Sequence, residues 1–393
     1  MNRRNSIGVV AGVCLLAASF LFAPAAGAKS ATQEPQGKTR LYYIAADEVE
    51  WNYAPMGMNN AMGMPFEGES KIFTEQGPHR IGTTYRKAIY REYTDGTFTK
   101  LKPRPAEWAH TGILGPILRA EVGDTIRVAF KNNATRPYSM HPHGMFYLKD
   151  SEGSLYNDGT SGADKDDDAV PPGGQHVYIW KVPERAGPGP NDPSSIVWLY
   201  HSHTNELKDV NSGLVGAIIV TRRGMADADG KPKDVDREFV CLFTLFDENQ
   251  SWYLDHNIQA YTSDPKGVKK AEFSPVDEQD NLLPVGSGLV AANEKMSING
   301  YLYANGPVMT MKQGERVRWY LMSLGEGFNL HTPHWHGNTV MYDGHYTDVV
   351  SLLPAQMITV DMVPDDPGTW LFHCHVDEHM SSGMSAFYKV EPR

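Results

Sequence analysis

The chain has 393 residues, 41% of them hydrophobic, and a formal charge of −11. That is too long for one ordinary domain and holds enough apolar material for two buried cores. The acidic balance argues against a nucleic-acid partner, and three cysteines in so long a chain exclude a disulfide scaffold.

In chain order, the first element is an export signal. Residues 1–28 hold Arg3 and Arg4, an apolar run from Ile7 to Phe22 and the small-residue cleavage pattern Ala26-Gly27-Ala28. Glycines break the run and Pro24 ends it, so cleavage near Ala28 is expected rather than a retained anchor, giving a periplasmic or secreted protein. No later segment is apolar and long enough to span a bilayer. Cleavage would leave 34 basic and 47 acidic residues, a charge of −13, and two cysteines, Cys241 and Cys374. Shortly after the signal, "PMGMNNAMGMPF" sets Met56, Met58, Met62 and Met64 among glycines, either soft thioethers for cuprous ion or a loop packed on the surface.

Two long stretches then recur in order. "GPILRAEVGDTIRVAFKNN" leading to "HPHG" parallels "GPVMTMKQGERVRWYLMSL" leading to "HTPHWHG", and "WLYHSHTNELKDVNSGLVGAIIV" parallels "WLFHCHVDEHMSSGMSAFYKV". The pattern is a duplication, with a first domain over 40–222, a linker over 223–236 and a second domain over 237–393. Within each copy apolar residues alternate: Ile126, Val128 and Phe130 oppose Thr125, Arg127 and Ala129, as Val317, Trp319 and Leu321 oppose Arg316, Arg318 and Tyr320. Period two means half-buried strands, so two antiparallel β-sandwiches are expected. Cys241, inside the apolar run "EFVCLFTLF", reads as a packed, inert thiol.

Four His-x-His pairs stand in these repeats: His141 with His143, His201 with His203, His334 with His336, and His373 with His375. Fifteen histidines placed at random would give roughly 0.6 such pairs. Residues i and i+2 leave a strand on one side, so the four pairs can converge as eight imidazoles. Imidazole suits copper, zinc, iron and nickel. Cys374 lies between two of these histidines and faces the other way, where it would meet His331, His379 and Met384. Two imidazoles, a thiolate and a weak thioether form a blue-copper ligand set, whereas structural zinc more often uses closely spaced cysteine pairs. Cys374 would thus take an electron that His373 and His375 deliver to the cluster. His79, His110, His176, His256 and His345 read as ordinary surface or core histidines.

The motifs "HPHG", "HSH", "HTPHWHG" and "HCHVDEHMSSGM" resemble the four copper motifs of the multicopper oxidases, and flanking text such as "YYIAADEVEWNYAP", "TGILGPILRAEVGDTI" and "DKDDDAVPPG" resembles the ceruloplasmin, hephaestin and coagulation-factor A-domain branch in a two-domain, bacterial form. The resemblance implies an all-β fold of two cupredoxin-like Greek-key sandwiches. It implies type 1 copper on His331, Cys374, His379 and Met384, type 2 copper on His141 and His334, and a type 3 pair on His143, His201, His203, His336, His373 and His375, four coppers per chain. In the first domain Ser202 and Leu207 replace a cysteine and a histidine of the motif, so only the second should be blue. Lys149, Asp167 and Asp168 match positions that hold calcium in ceruloplasmin-like domains, although a solvated charge run explains them equally well.

Members of the family oxidise a donor by single electrons and reduce dioxygen to water with four. A copper carrier has no use for eight clustered histidines, a structural module has no reason to keep ten ligand positions, and a nitrite reductase needs fewer histidines. Glu378, beside His379, falls where ceruloplasmin-like ferroxidases carry an acid, with Asp377 next to it and Asp348 expected nearby. Ferrous or cuprous ion is therefore the expected donor, laccase-like oxidation of phenols the alternative. Ceruloplasmin-like proteins close a ring of six such domains, and three two-domain chains would close the same ring as a homotrimer, with clusters shared between chains.

Overall fold

The computed structural model describes residues 37–268, 289–325 and 329–393, so the expected export signal lies outside the described residues. Among the described residues no helix is long and apolar enough to cross a membrane. Eighteen strands among the described residues carry the fold. The first eight are β1 (Thr39–Asn52), β2 (Thr84–Glu92), β3 (Leu118–Glu121), β4 (Thr125–Asn132), β5 (His141–Pro142), β6 (Gln175–Lys181), β7 (Ser195–His201) and β8 (Val215–Thr221). After residues 222–236 come β9 (Arg237–Asp247), β10 (Glu294–Ile298), β11 (Met309–Lys312), β12 (Val317–Ser323), β13 (Pro333–Trp335), β14 (Val340–Tyr342), β15 (His345–Thr347), β16 (Met357–Met362), β17 (Gly368–Cys374) and β18 (Ser385–Glu391).

Among the described residues these form four sheets, ordered β2-β1-β4-β6, β3-β8-β7-β5, β10-β9-β12-β16-β14-β15 and β11-β18-β17-β13. The sheets are mixed, which corrects the expectation of antiparallel pairing throughout. β1 runs parallel to β4, β3 to β8, β9 to β12 and β11 to β18. Each parallel pair is separated by enough chain for a crossover, which two strands joined by a tight hairpin cannot make.

Alternation along the strands sets the layering. Ile126, Val128 and Phe130 of β4 meet Ile218 and Val220 of β8 in one core. Phe239, Cys241 and Phe243 of β9 join Trp319, Phe372 and Tyr388 in a second. The intervening residues Val240 and Leu242 face the other way and pack with Val197, Leu199, Val215, Ala217 and Ile219 in a third core between the two sandwiches. β8 and β9 are thus buried on both faces, which explains their unbroken apolar sequences. The sheets stack four deep, with the sheet holding β5 and β7 second and the sheet holding β13 and β17 fourth.

A buried ion pair crosses the seam between the sandwiches. The Lys87 ammonium meets the Glu248 carboxylate with both side chains fully buried. Tyr53 donates to Glu248 at 2.5 Å, and Lys87 also donates to the Asn211 carbonyl at 2.6 Å. Burial opposes both charges, lowering the lysine's pKa and raising the glutamate's, so each ion depends on the other. Lys87→Met should cost about 3–5 kcal/mol, because Glu248 is then stranded. The double variant Lys87→Met/Glu248→Leu should recover much of that loss in urea unfolding midpoints. Equal loss in both variants would contradict the pairing.

Candidate metal centre

In the first sandwich His141 on β5 pairs directly with His201 at the end of β7. The His143 and His201 Nε2 atoms stand 3.1 Å apart, and the His141 ring lies 5.2 Å from that of His203. Each motif ends in glycine for a steric reason. Gly144 has φ +73°, and a Cβ there would lie 2.4 Å from the Trp198 indole; Gly337 has φ +74°, with Trp370 at 2.5 Å. Second ring nitrogens are tied down: His141 Nδ1 to the Glu152 carbonyl at 2.7 Å and His203 Nδ1 to Ser154 Oγ at 3.0 Å. Burial pushes His143 down to about 4 and His201 to about 3, so both rings are neutral and have lone pairs to offer.

The second sandwich repeats the arrangement on β13 and β17, where His334 pairs with His373. His373 Nε2 stands 3.2 Å from His334 Nδ1 and 3.0 Å from His336 Nε2, and the His375 ring is 5.1 Å from that of His334. Ligand atoms of His334, His336 and His373 all lie within 4.8 Å of one another. Asp348, expected near the Cys374 site, instead faces His334, its Oδ2 3.6 Å from Nε2.

Across β17, Cys374 points into the core. Its Sγ lies 3.9 Å from His331 Nδ1 and 3.6 Å from His379 Nδ1, and those two nitrogens are 3.1 Å apart. Met384 is fully buried beside them, its carbonyl accepting the Cys374 N–H at 3.1 Å. Burial raises the Cys374 thiol and holds His331 down at about 3, so a thiolate here requires a cation to neutralise it. Two neutral imidazoles, a thiol that ionises on binding a cation and a thioether fit copper. His379 is only 5% exposed, while Asp377 and Glu378 before it are exposed.

The corresponding place in the first sandwich is filled with hydrogen bonds. Ser202 Oγ accepts from the Ser139 N–H at 3.0 Å and donates to Asp209 at 2.7 Å, and Asp209 also accepts from Trp252 Nε1 at 2.8 Å. Leu207 is half-exposed and offers no ligand atom.

Sequence reasoning missed two groups. Glu294 on β10 pairs with Asp247 on β9, and burial followed by the charges of Asp247 and Glu378 pushes Glu294 up to about 7. Glu294 is thus within electrostatic reach of both Asp247 and Glu378, and only the strand register, absent from any motif, brings it beside Asp247. Glu206 lies 3.1 Å from His203 Nε2, and that hydrogen bond lowers it to about 2; a carboxylate three residues after a candidate ligand was the available signal. In the acidic loop, Lys149 meets Asp158 at 3.0 Å and Lys165 meets Asp168 at 2.9 Å. Asp167 accepts the Gly153 N–H at 2.6 Å on one oxygen, while its other, buried oxygen has no partner. The methionine loop leaves Met56 and Met62 exposed and is tied by Asn305 and Ala304 to the segment that clasps Gly383 and Ser385.

The two groups of four histidines belong to the second and fourth sheets of the stack, with one sheet between. At about 10 Å per layer they stand on the order of 20 Å apart. No ring contact or hydrogen bond joins His141, His143, His201 or His203 to His334, His336, His373 or His375.

Comparison with known proteins gives the same picture. Hephaestin of Mus musculus is 44% identical over 359 residues, 90% of this chain and 30% of its own length. Ferroxidase HEPHL1 of Homo sapiens is 46% identical over 90% of this chain and 29% of its own, and human ceruloplasmin 40% identical over 89% and 30%. The chain therefore spans about three-tenths of these relatives. In fold it resembles a solved multicopper oxidase at 20% identity, with a TM-score of 0.51 over 90% of this chain and 88% of that one. A blue copper oxidase from Nitrosomonas europaea gives 17% identity and 0.52 over 90% and 86%. Residues 92–224 and 277–393, well over half the chain, match family models described as multicopper oxidase, and each match carries one of the two histidine groups. With a cysteine-centred donor set beside one of those groups, the chain belongs to the multicopper oxidase family.

Proposed function

We propose that the protein couples one-electron oxidation of a donor, ferrous ion first and cuprous ion second, to four-electron reduction of dioxygen to water. The observation that carries this reading is the position of Cys374. Its sulfur sits with His331 and His379, while its neighbour His373 lies within 3.2 Å of His334 and His336, so one peptide joins the two sites. His331, Cys374, His379 and Met384 would hold type 1 copper. His141 and His334 would hold type 2 copper, and His143, His201, His203, His336, His373 and His375 the type 3 pair. Bound copper supplies the one-electron couple and the site where dioxygen is reduced. The chain's own part is to keep the imidazoles neutral, exclude water from Cys374, carry the electron through the Cys374 backbone to His373 and His375, and collect donor cations on Glu378, Glu294 and Asp247.

The layering of the sheets supports an assembly of several chains. The separation of the His groups on the second and fourth sheets supports a cluster formed by the first domain, 40–222, of one chain against the second, 237–393, of another, linker 223–236 joining the two domains within each chain. Exposed apolar residues support such contacts: Leu148 (66%) follows His143 in the chain, and Tyr346 (74%) and Val349 flank the Asp348 that faces His334. A closed cyclic homotrimer satisfies every half-cluster. Calcium at Lys149, Asp167 and Asp168 is supported by the unpartnered Asp167 oxygen and opposed by the lysines paired with Asp158 and Asp168. Export of the chain to a periplasmic or extracellular space rests on residues 1–28.

Donor choice is tested at Glu378. Opposite charges a few ångströms apart near a surface attract by about 1–4 kcal/mol, enough for tenfold or more in efficiency. Glu378→Ala should lower kcat/KM for ferrous ion at least about tenfold and that for a neutral phenol less than about threefold, the blue band being unchanged. Equal losses would assign Glu378 to support of the copper site. A wild type that strongly prefers the phenol would make laccase-like oxidation the function.

A further inference from the structure

A cavity of about 880 Å³ opens on the first sandwich at the edge carrying β2 and β3, opposite the β5 edge that carries His141. Ala228 and Asp229 of the linker segment line one side of it. Arg119 on β3, also in its wall, is bonded to Glu238 of β9 at 2.7 Å, so the cavity lies where the first sandwich, the linker and the second sandwich meet. The volume falls in the range of small-molecule pockets, and seams of this kind are where such pockets concentrate.

Its lining runs against the charge of the whole protein. Lys38, Arg40, Arg91, Lys102, Arg104 and Arg119 line it against two acids, Glu92 and Asp229, in a chain of formal charge −11. Most of these cations have a carboxylate partner. Arg40 has Asp124 at 2.5 Å, Lys102 has Glu92 at 2.8 Å, and Arg91 has Asp47 at 3.7 Å. Arg104 differs: its Nη1 donates to the Gly112 carbonyl and its Nη2 to the Leu114 carbonyl, both at 2.6 Å. Two backbone bonds fix the guanidinium in place without neutralising it. Surrounding protein lowers its pKa, and the groups that act the other way are the phenols Tyr301 and Tyr200, with no carboxylate among them. A second guanidinium in the wall, that of Arg40, keeps its buried Nη2 without an acceptor. Between these cations the walls are apolar. Leu101 and Ile117 line the cavity, and the Trp108 indole presents a ring with the Arg119 guanidinium carbon 5.2 Å from its centroid.

We propose that this cavity binds an amphipathic organic anion: one carboxylate or phosphate group on an apolar body about the size of a ring. The anionic group sits against Arg104 with Lys102 nearby, and the body lies along Leu101, Trp108 and Ile117. A fixed guanidinium with spare N–H donors and no acid of its own gains most from an incoming oxyanion, since both charge and fork geometry are already in place. A neutral molecule of the same shape gains only the apolar contact, and a bare inorganic anion only the charge. The site is independent of the proposed copper sites and of the donor oxidised at Cys374.

The test is calorimetric titration of the copper-loaded full chain at about 50 mM salt, low enough to leave charge interactions incompletely screened. Benzoate and phenyl phosphate are the two anionic probes and decide which headgroup is preferred. Benzyl alcohol and inorganic phosphate isolate the body and the charge. The expected result is saturable binding at one site per chain for at least one anionic probe, at least tenfold tighter than either control. Arg104→Gln should weaken it at least tenfold with the blue band unchanged. Because Arg104 also holds two loop carbonyls, Leu101→Glu serves as a second variant: it leaves those bonds intact, sets an acid in the wall and should weaken binding comparably. Absence of saturation by both probes up to about 10 mM, equal affinity for benzyl alcohol, or unchanged binding in a folded variant of either kind would overturn the proposal.

Discussion

Cys374→Ser should remove the blue absorption band completely and reduce steady-state oxygen uptake by more than about a hundredfold, beyond the 10–100-fold typical of losing an outer-shell partner. The wild type should hold four coppers per chain and the variant three. Both losses have one cause. Cys374 Sγ is the soft donor between His331 and His379, and its backbone is the covalent link to His373 and His375, so a hydroxyl in its place removes a ligand and an electron route together. Cys241→Ala is the matched control. Cys241 is equally buried but packs against Met309 in the apolar core, and it should cost stability alone, with the blue band retained. A Cys374→Ser protein that stays blue, or a wild type with a single copper and no oxygen uptake from any donor, would end the oxidase reading.

Sequence carried this site unusually well because strand geometry converts spacing into direction. His373 and His375 share one side of β17 and its continuation, and Cys374 between them must face the other, so a three-residue motif separates two candidate metal sites. The substitution of Ser202 was legible in the same way, though its hydrogen bonds to Ser139 and Asp209 were not. What stayed hidden depends on contacts between residues far apart in the chain. Glu294 and Asp247 become a pair only through the register of β10 on β9. Asp348 was expected beside the Cys374 site, yet a bridge between His334 and Val349 brings it to the histidine group instead. His379 carries exposed acids on its N-terminal side, and the helical turn Asp377–Ser381 nonetheless turns its imidazole inward, which no spacing in the motif announces. The apolar run around Cys241 was readable as a strand. That it separates two cores, and thereby stands as a full sheet between the histidine groups, depends on which sheets face it.

That separation leads to the second large effect, a restoration of activity by mixing two dead proteins. His141→Ala/His143→Ala disables the first half-cluster of every chain, and His334→Ala/His336→Ala disables the second. Each variant alone should show background oxygen uptake, because every shared cluster then lacks one half. In a trimer assembled from equal amounts of both by unfolding and refolding together, a cluster works wherever an intact first domain meets an intact second domain. Random assembly around a closed ring makes that combination at about one interface in four, so roughly a quarter of wild-type activity should return. A cluster built within one chain predicts none, since no chain in the mixture carries both intact halves. The variants keep Cys374, His331, His379 and Met384, so the blue band should persist in both and report that the second sandwich has folded. Background activity in a mixture shown by light scattering to contain mixed trimers would place the cluster inside a single chain, and the four-layer stacking would then have to open for His141 and His334 to meet.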